Sequence, residues 1–402
     1  MKKYALIIFI LTFPLHFTLH AQSPPLQYED EAPLGTWNIF GFLSARNLGM
    51  GNTAIANSSE SSASLFNPAL LANLKSFKAS ITLFAQTSEM FRYSLINTSS
   101  IRSSKLGISI FDVGSAGFIF PYKGFTYGVN YFFFESYERP DFVVPYPGQP
   151  LNGEFSGNAR GINLSVSREI ISDLSLGISF NYIAGKRYLK ISEEFGSGTS
   201  YFDEKSHDLY GWNLGIGFFY RTPFNLNVGA SIKSPLRIKT DSEILREFKS
   251  PVIEIFQKDT SKDETKKPFL AGLGFSYFLR KNILISSDFI YFPWKKYEYF
   301  YFGEKVERNF KSVIEICIGG EYSLLFPKES LHLRIGYFYD PQPLRKTEIN
   351  YNNFTFGAGV SLGKFRIDGA YSTGSATDVE KISSKKFLIS IVYFSGVNDE
   401  KD

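Results

Sequence analysis

The stretch Leu174-Ser175-Leu176-Gly177-Ile178-Ser179-Phe180-Asn181-Tyr182 alternates an apolar residue with a small or polar one at every step. Successive side chains of a β-strand point to opposite faces, so this pattern predicts a strand with one apolar and one polar face. Residues 226–232 and 354–362 alternate in the same way. Similar segments recur from about Phe77 to Phe394, and the chain is therefore predicted to be all-β.

The connections between these segments alternate between short and long. A barrel in an outer membrane has tight turns at one rim and long loops at the other, and a soluble sandwich has no reason for this asymmetry. The pattern therefore predicts a transmembrane antiparallel β-barrel. The short connections are residues 170–174, 221–224, 280–282 and 363–364, and the long ones are 191–207, 241–267, 293–311 and 372–385.

Fourteen segments fit this scheme, an even number, as single-chain bacterial barrels require. Because lipid cannot satisfy an open sheet edge, the sheet is expected to close on itself, with its small polar face lining the lumen. The first segment has a break in its pattern around Thr87–Glu89, so two strands in place of one are an alternative for this segment. The predicted strands are residues 77–97, 106–122, 125–135, 158–168, 174–189, 208–220, 225–240, 269–279, 283–292, 312–323, 331–339, 354–362, 365–371 and 387–394.

Composition narrows the class of protein. The 402 residues carry a formal charge of +4, and Lys2 and Lys3 belong to a removable leader, so a nucleic-acid partner has no electrostatic support. Aromatic residues make up 17% of the chain, as expected if rings sit at two membrane interfaces. An aromatic-rich soluble β core is the alternative reading.

The first residues are typical of a secretory signal peptide, residues 1–21. Lys2 and Lys3 precede an apolar stretch, residues 5–19, and the small residue Ala21 precedes the expected cut. A lone membrane anchor is the alternative, although Pro14 and His16 interrupt the run. Elsewhere no apolar stretch of about 18 residues appears, which argues against helical spans. The remaining predicted units are a hatch or plug at 22–75, the barrel at 76–394 and a periplasmic tail at 395–402.

The segment before the barrel does not alternate. It contains the run Ala45-Arg46-Asn47-Leu48-Gly49-Met50-Gly51, a Ser-rich stretch, and then Asn67-Pro68-Ala69. So many small residues permit tight turns and close backbone approach. A compact plug inside the lumen is the prediction, and a flexible periplasmic linker is the alternative.

These motifs resemble those of the FadL-type outer-membrane transporters of long-chain fatty acids. The hatch motif residues are Gly49, Gly51, Asn67, Pro68 and Ala69. The other matching elements are Asp173 to Gly177, Ser234-Pro235, Asp288 with Trp294, and Gly336 to Asp340. The resemblance spans nearly the whole mature chain and implies a 14-stranded barrel plugged by an N-terminal hatch.

By this resemblance, a long-chain fatty acid or other hydrophobic ligand docks on outer loops and leaves through a gap in the wall into membrane lipid. No cofactor is implied. The expected protein is a monomer in the outer membrane, inserted by the barrel-assembly machinery. Some barrels of this shape instead tether secreted proteins, so a structural or shuttle barrel without small-molecule transport is the alternative function.

The predicted loop at residues 241–267 is the expected docking site for the ligand. Ile244, Leu245 and Phe248 show helical spacing, and Ile253 and Phe256 add a second apolar cluster. Exposed apolar residues on a loop pack or bind something. By resemblance this is where the ligand tail docks, with Arg246, Lys249 or Lys258 meeting a carboxylate. The alternative is that these residues only fold the loop over the barrel mouth.

Aromatic residues crowd the predicted loop at 293–310, among them Trp294 and Tyr297. They are interpreted as part of the interface girdle.

The sequence offers little catalytic chemistry. After removal of the leader only His207 and His332 remain, and no nucleophile signature accompanies either. A hydrolase using one of these histidines is a third hypothesis. His332 is predicted to be a satisfied lumen residue, and Cys317 a packed small hydrophobe. No His/Cys metal motif occurs, so neither catalytic residues nor metal ligands are predicted.

Overall fold

One antiparallel sheet contains every strand of the described chain. The computed structural model describes residues 44–97, 100–144, 151–196, 198–301, 303–307, 309–343, 350–377 and 381–396. The predicted signal peptide, the first part of the predicted hatch and the end of the predicted tail lie outside these residues. The strands are β1 (Lys78–Asn97), β2 (Ser100–Tyr122), β3 (Phe125–Ser136), β4 (Arg139–Val144), β5 (Leu151–Ile171), β6 (Leu174–Gly196), β7 (Thr199–Arg221), β8 (Leu226–Lys233), β9 (Leu236–Lys249), β10 (Glu254–Lys267), β11 (Leu270–Arg280), β12 (Ile283–Phe292), β13 (Glu298–Tyr301), β14 (Glu304–Val306), β15 (Val313–Leu325), β16 (Glu329–Pro341), β17 (Asn350–Leu362), β18 (Phe365–Thr377) and β19 (Lys381–Phe394).

The sheet closes because β1 pairs with both β2 and β19, with Lys78 opposite Phe394 at the start of the seam. Several strands share one position in the wall: β3 with β4, β8 with β9, β10 with β11, β12 with β13, and β14 with β15. The result is a closed barrel of 14 strand positions, which confirms the predicted transmembrane antiparallel β-barrel. The predicted break near Thr87–Glu89 is absent, since β1 runs through it.

Alternation sets the two faces of the wall. Over residues 176–182 of β6 and 212–220 of β7, every second side chain is exposed and apolar or aromatic, and the intervening residues are buried. This outward apolar band is the lipid-facing surface of a membrane barrel. Its exposed members on these two strands are Leu176, Ile178, Phe180, Tyr182, Trp212, Leu214, Ile216, Phe218 and Tyr220.

The band ends where outward side chains become charged. Lys186 and Asp208 form an exposed ion pair of 3.1 Å on β6 and β7, and the outward residue Ile232 on β8 gives way to Arg237 on β9. Strands continue well beyond this level, so the barrel rises above the band at one rim, which we call the long-hairpin rim. The opposite end, where β1 starts and β19 ends, is the short-turn rim.

Most predicted long loops are strand extensions. The β6–β7 ladder continues to Glu194 opposite Ser200, and the β9–β10 ladder to Lys249 opposite Glu254. The predicted loop at 241–267, with Ile244, Leu245 and Phe248 at helical spacing, is therefore wrong in conformation. A six-residue helical pattern is too short to compete with cross-strand pairing to β7 and β10.

The predicted girdle role of Trp294 is also wrong. Trp294 starts a 3₁₀ turn (Trp294–Lys296) and is buried, stacked on Phe292 at 6.2 Å between ring centroids. It also contacts Phe310 edge-on at 6.2 Å. These rings pack in the lumen because Phe292 faces inward, and all three belong to one buried apolar cluster.

The wall is interrupted between β2 and β3. Their pairing runs from Tyr122 opposite Phe125 to Ser115 opposite Phe132, and no further register is found along the described part of β2. A β-bulge at Phe134 interrupts the β3–β5 register, and Gly114 is an extra residue in the β1–β2 ladder. Bulges bend the strand that carries them. We call the unpaired edge of β2 above Ser115, facing β3, the wall interruption.

No helix in the described part of the chain is both long enough and apolar enough to cross a membrane.

Candidate functional site

The hatch segment, residues 44–74, contacts the inner face of the wall. It contains α1 (Ala45–Gly49), α2 (Ala63–Phe66) and a 3₁₀ helix (Pro68–Asn73), and almost all of its residues are buried. Ser44 caps α1 by accepting a hydrogen bond from the backbone N–H of Asn47. Contacts to β5, β6 and β7 tie the 3₁₀ helix to one side of the wall, and contacts to β16, β17 and β18 tie α1 to the other.

Gly49 and Gly51 lie where the hatch backbone meets the wall backbone. A Cβ on Gly51 would lie 2.2 Å from the carbonyl oxygen of Ile318, and its φ of +68° favours glycine. On the wall, a Cβ on Gly336 would clash with the Gly51 nitrogen. Thr355 then joins both glycines, since its hydroxyl accepts from the Gly51 N–H at 3.0 Å and donates to the Gly49 carbonyl at 3.2 Å.

Asn67, Pro68 and Ala69 form the second contact. The Asn67 side-chain amide donates to the carbonyls of Ile55 and Phe218, both at 2.9 Å, and its oxygen caps the 3₁₀ helix by accepting from Ala69 N–H. Glycines of the wall make room, because a Cβ on Gly217 would clash with the Asn67 oxygen and one on Gly177 would lie 2.4 Å from Pro68. Asn67 therefore connects two hatch turns and β7 through one side chain.

A chain of buried ion pairs also links hatch and wall. Arg46 of the hatch contacts Glu321 through two 3.0 Å bonds, and Arg334 reaches the same carboxylate at 2.6 Å. Arg334 and Arg366 both bind Asp368 at 2.7 Å.

The chain of ion pairs returns to the hatch at its far end. Arg366 donates to Glu60 at 2.6 Å, so three arginines alternate with three carboxylates and the first and last members belong to the hatch. Each charge is paired, as burial requires. We call this set the ion-pair chain.

The ion-pair chain was not predicted from the sequence. Its wall members come from β15, β16 and β18, and each occupies a position whose side chain points into the lumen. The run Phe365-Arg366-Ile367-Asp368 carries a readable signal, since two charges fall on the face that faces the lumen. A charged pair at alternate positions of a membrane strand marks the interior face.

An apolar cluster fills the lumen between the hatch and the long-hairpin rim. Phe66 and Ile55 of the hatch meet Phe132 and Phe134 of β3 there, together with Trp294. On the other side of the bulge Phe133 joins a second cluster, where its ring lies 5.1 Å from that of Phe84 on β1. Three consecutive phenylalanines are thus buried at the wall interruption, and its inner lining is aromatic.

An ion pair spans the wall interruption. Arg160 Nη2 of β5 lies 2.7 Å from Asp112 Oδ2 of β2, with Arg160 46% and Asp112 19% exposed in their side chains. Asp112 is opposite the inward-facing Phe84, whereas Arg160 belongs to the exposed face of β5. The inner face of β2 therefore meets the outer face of β5 across the opening. Phe111, 75% exposed, borders it.

The residues predicted to dock a ligand are not brought together. Ile244 and Phe248 are buried on the inner face of β9, Leu245 lies on the opposite face, and Ile253 and Phe256 lie at the exposed hairpin tip.

The predicted cations of that region differ in their contacts. Arg246 lies 3.6 Å from Asp203, Lys258 lies 2.8 Å from Glu243, and Lys249 is exposed. Within residues 241–267, the most exposed apolar side chains are at the hairpin tip, where Val252 is 80% and Phe256 66% exposed.

Both predicted histidines contact serine. His207 Nδ1 lies 2.7 Å from Ser242 Oγ, and His332 Nδ1 lies 2.8 Å from Ser323 Oγ. His207 lies beyond the apolar band, where burial, followed by the nearby charges of Arg187 and Lys205, lowers its pKa to about 2. The neighbouring Asp208 faces outward to Lys186 and does not orient the ring.

His332 also contacts Ser330 and Ser361, at 3.0 and 3.2 Å, so it is a satisfied interior residue as predicted. Cys317 is buried, also as predicted. Among the described residues no group of three or more His, Cys, Asp or Glu side chains is arranged to hold a metal ion.

Comparison with models of protein families shows which family the chain belongs to. The BamG family model matches residues 1–371. The chain belongs to the BamG family. No curated protein matches the chain significantly in sequence.

Solved structures share the fold of this BamG-family chain. A FadL homologue of Pseudomonas aeruginosa has a TM-score of 0.68 at 12% identity, covering 87% of this chain and 98% of its own. The toluene transporter TbuX of Ralstonia pickettii has a TM-score of 0.66 at 14% identity, covering 89% and 99%. The toluene transporter TodX of Pseudomonas putida has a TM-score of 0.66 at 13% identity, covering 87% and 97%. The predicted FadL-type barrel is therefore confirmed as a fold.

Proposed function

We propose that this BamG-family barrel lies in the outer membrane and lets hydrophobic compounds cross it passively, without catalysis or cofactor. The observation that carries the proposal is the wall interruption. Unpaired strand edges are not tolerated in lipid unless they line a cavity or meet protein. Here the unpaired edge of β2 faces the buried phenylalanines of β3, so an apolar compound has an aromatic path between lumen and lipid.

The level of the wall interruption supports the proposal. The β2–β3 ladder starts at the short-turn rim and ends at Phe132, eight residues along β3. A membrane strand crosses the bilayer in about 9–11 residues. The interruption therefore begins within the membrane, where a compound leaving sideways enters lipid rather than water. Transfer of each buried CH₂ into lipid is favourable by about 0.8 kcal/mol, so no energy source is needed.

The hairpin tip supports a first contact with the compound. Val252 and Phe256 project beyond the apolar band with little protein around them, and Ile253 and Lys249 adjoin them. Long-chain fatty acids fit this surface because Lys249 supplies an exposed cation for a carboxylate. The tail would reach Ile244, Leu245 and Phe248 only if the hairpin opened. Arg246 already forms an ion pair with Asp203.

Uptake of radiolabelled oleate and toluene tests the function. A deletion strain carrying this chain should take up both faster than the same strain carrying an empty vector. The Val252→Ser/Phe256→Ser variant should lower oleate uptake by about threefold. The exposed substitution Glu304→Gln on β14 serves as a control and should change nothing. Uptake that is the same with and without the chain would exclude transport.

A second candidate is a structural barrel that binds other proteins, in particular the barrel-assembly machinery. Membership of the BamG family favours it, and the ion-pair chain would hold the hatch in place in a barrel that never opens. This function predicts stoichiometric protein partners in a detergent pull-down and no dependence of oleate uptake on the chain. Uptake without stable partners would exclude it.

A further inference from the structure

A cavity of about 560 Å³ opens at the short-turn rim, away from the ion-pair chain and the wall interruption. The end of the hatch segment, the β2–β3 turn and the β5–β6 turn line it. β5 ends beyond the start of β3, since Ser167 is opposite Thr126 and the strand continues to Ile171. The two turns therefore stand apart and leave a recess between them.

Cations dominate the polar lining of this cavity. Lys75, Lys123 and Arg168 lie there with a single carboxylate, Glu169. Lys75 Nζ contacts Glu169 Oε2 at 2.9 Å, which leaves two positive charges without a carboxylate partner among the described residues. The recess is therefore an electropositive site, and its preferred ligand carries negative charge.

Backbone geometry and aromatic rings hold the two unpaired cations. Lys123 and Gly124 both have positive φ, +49° and +78°, as in the two-residue turns that favour tight hairpins. The Lys123 ammonium lies 5.1 Å from the ring centroid of Tyr122, and the Arg168 guanidinium lies 5.0 Å from that of Phe125. Such contacts orient a cation without neutralising it.

An aromatic ladder on the lipid-facing surface leads to the cavity. Phe118 stacks on Phe120 at 6.2 Å between centroids, and Phe120 stacks on Tyr127 at 5.4 Å. On β5 the exposed column Ile162 and Leu164 ends in Arg168. A cation that follows an outward apolar column lies at the level of the lipid headgroups.

We propose that this recess binds the phosphate headgroup of an anionic phospholipid from the leaflet that meets the short-turn rim. Lys123 and Arg168 contact the phosphate, and the acyl chains lie along the aromatic ladder. Free phosphate fits the charges but not the ladder, and a zwitterionic lipid fits the ladder but offers no net charge to the two cations. The site is independent of transport through the barrel.

Lipid binding to the purified full-length chain tests the proposal. Native mass spectrometry in detergent would titrate phosphatidylglycerol against wild type and the Lys123→Gln/Arg168→Gln variant. A cation at an anionic lipid surface is worth about fivefold in affinity, so the double variant should bind at least about tenfold more weakly. Arg280→Gln/Lys281→Gln removes the same charge from the β11–β12 turn, which does not line the recess. This control should stay within about twofold of wild type.

Competition between ligands on the wild-type protein shows which of them the recess binds. This experiment does not depend on the folding of any variant. Phosphatidylglycerol should outcompete phosphatidylcholine by about tenfold, and millimolar inorganic phosphate should not displace it. Equal binding of the two lipids would overturn the proposal, as would an equal loss in both double variants. Displacement by inorganic phosphate would also overturn it and would mark the recess as a site for small anions.

Discussion

Arg160 on β5 and Asp112 on β2 form a 2.7 Å ion pair across the point where β2 and β3 part. The pair joins strands that are not neighbours in the sheet, because β3 lies between β2 and β5 in the strand order and its register against β5 shifts at the bulge. It is therefore the polar contact best placed to hold the two sides of the wall interruption together.

Removal of this pair should ease passage through the wall. Both side chains are partly exposed, so the interaction is worth no more than about 1 kcal/mol. Asp112→Asn should therefore raise the initial rate of hydrophobic uptake by about two- to fivefold, measured with a fluorescent fatty acid in proteoliposomes. The exchange Asp112→Arg/Arg160→Asp should restore the wild-type rate. An unchanged rate in Asp112→Asn would show that passage does not use this opening.

The ion-pair chain should contribute strongly to stability. Glu60→Gln leaves the buried guanidinium of Arg366 with one carboxylate in place of two. Loss of one partner of a buried pair costs about 3–5 kcal/mol. Urea unfolding in detergent micelles should show a loss of this size, and single-channel recordings should show ion leakage as the hatch loosens.

The matched control for the ion-pair chain is Lys258→Gln, which breaks an exposed pair with Glu243. The loss of unfolding free energy should stay below about 1 kcal/mol in this variant. If Glu60→Gln and Lys258→Gln lose similar free energy, the buried ion-pair chain does not hold the hatch.

The sequence predicted the wall better than the site. Alternation located every wall position, because outward residues such as Ile178 and inward ones such as Ser179 must differ in lipid. It did not predict how far the hairpins extend, since outward residues beyond the predicted strand ends, such as Lys190 on β6, are polar and resemble loop residues. The helical reading of Ile244 to Phe248 failed because pairing with β7 decides that conformation.

The contacts that connect the ion-pair chain could not be predicted from the sequence, for a different reason. Arg46 and Glu321 are 275 residues apart, and their contact depends on the register of β15 against β16 and on how the hatch folds. The same holds for Asp112 and Arg160, which meet only because bulges shift two ladders. A single sequence carries no local signal for such shifts.

Close backbone contacts between hatch and wall should be sensitive to a single methyl group. Gly336→Ala places its Cβ against the backbone nitrogen of Gly51 in the hatch, so one of the two segments must move. We expect a loss of about 1–3 kcal/mol in unfolding free energy, as for overpacking elsewhere. Limited proteolysis should also cut the hatch segment faster in this variant.

Gly369→Ala is the control for this glycine contact. Gly369 also lies in a wall strand, but a Cβ there meets no atom within 4 Å and its φ is not positive. The control should keep the wild-type stability and proteolysis rate. Equal effects of both substitutions would attribute the loss to the strands rather than to hatch docking.

His207 should make the barrel less stable in acid. Its pKa is lowered to about 2 in the folded chain, chiefly by burial, against about 6.5 in an unfolded one. The folded state therefore keeps the ring neutral, and the stability from this difference is complete above pH 6.5 and falls as the pH drops towards 2. Between pH 6.5 and 5 the loss is at most about 2 kcal/mol. Urea unfolding of His207→Gln should show a shallower pH dependence than wild type over that range, while His332 remains in both proteins as an internal control. An identical slope in the two proteins would mean that the ring already takes up its proton in the folded barrel, with Ser242 and the surrounding charges rearranged to accept it.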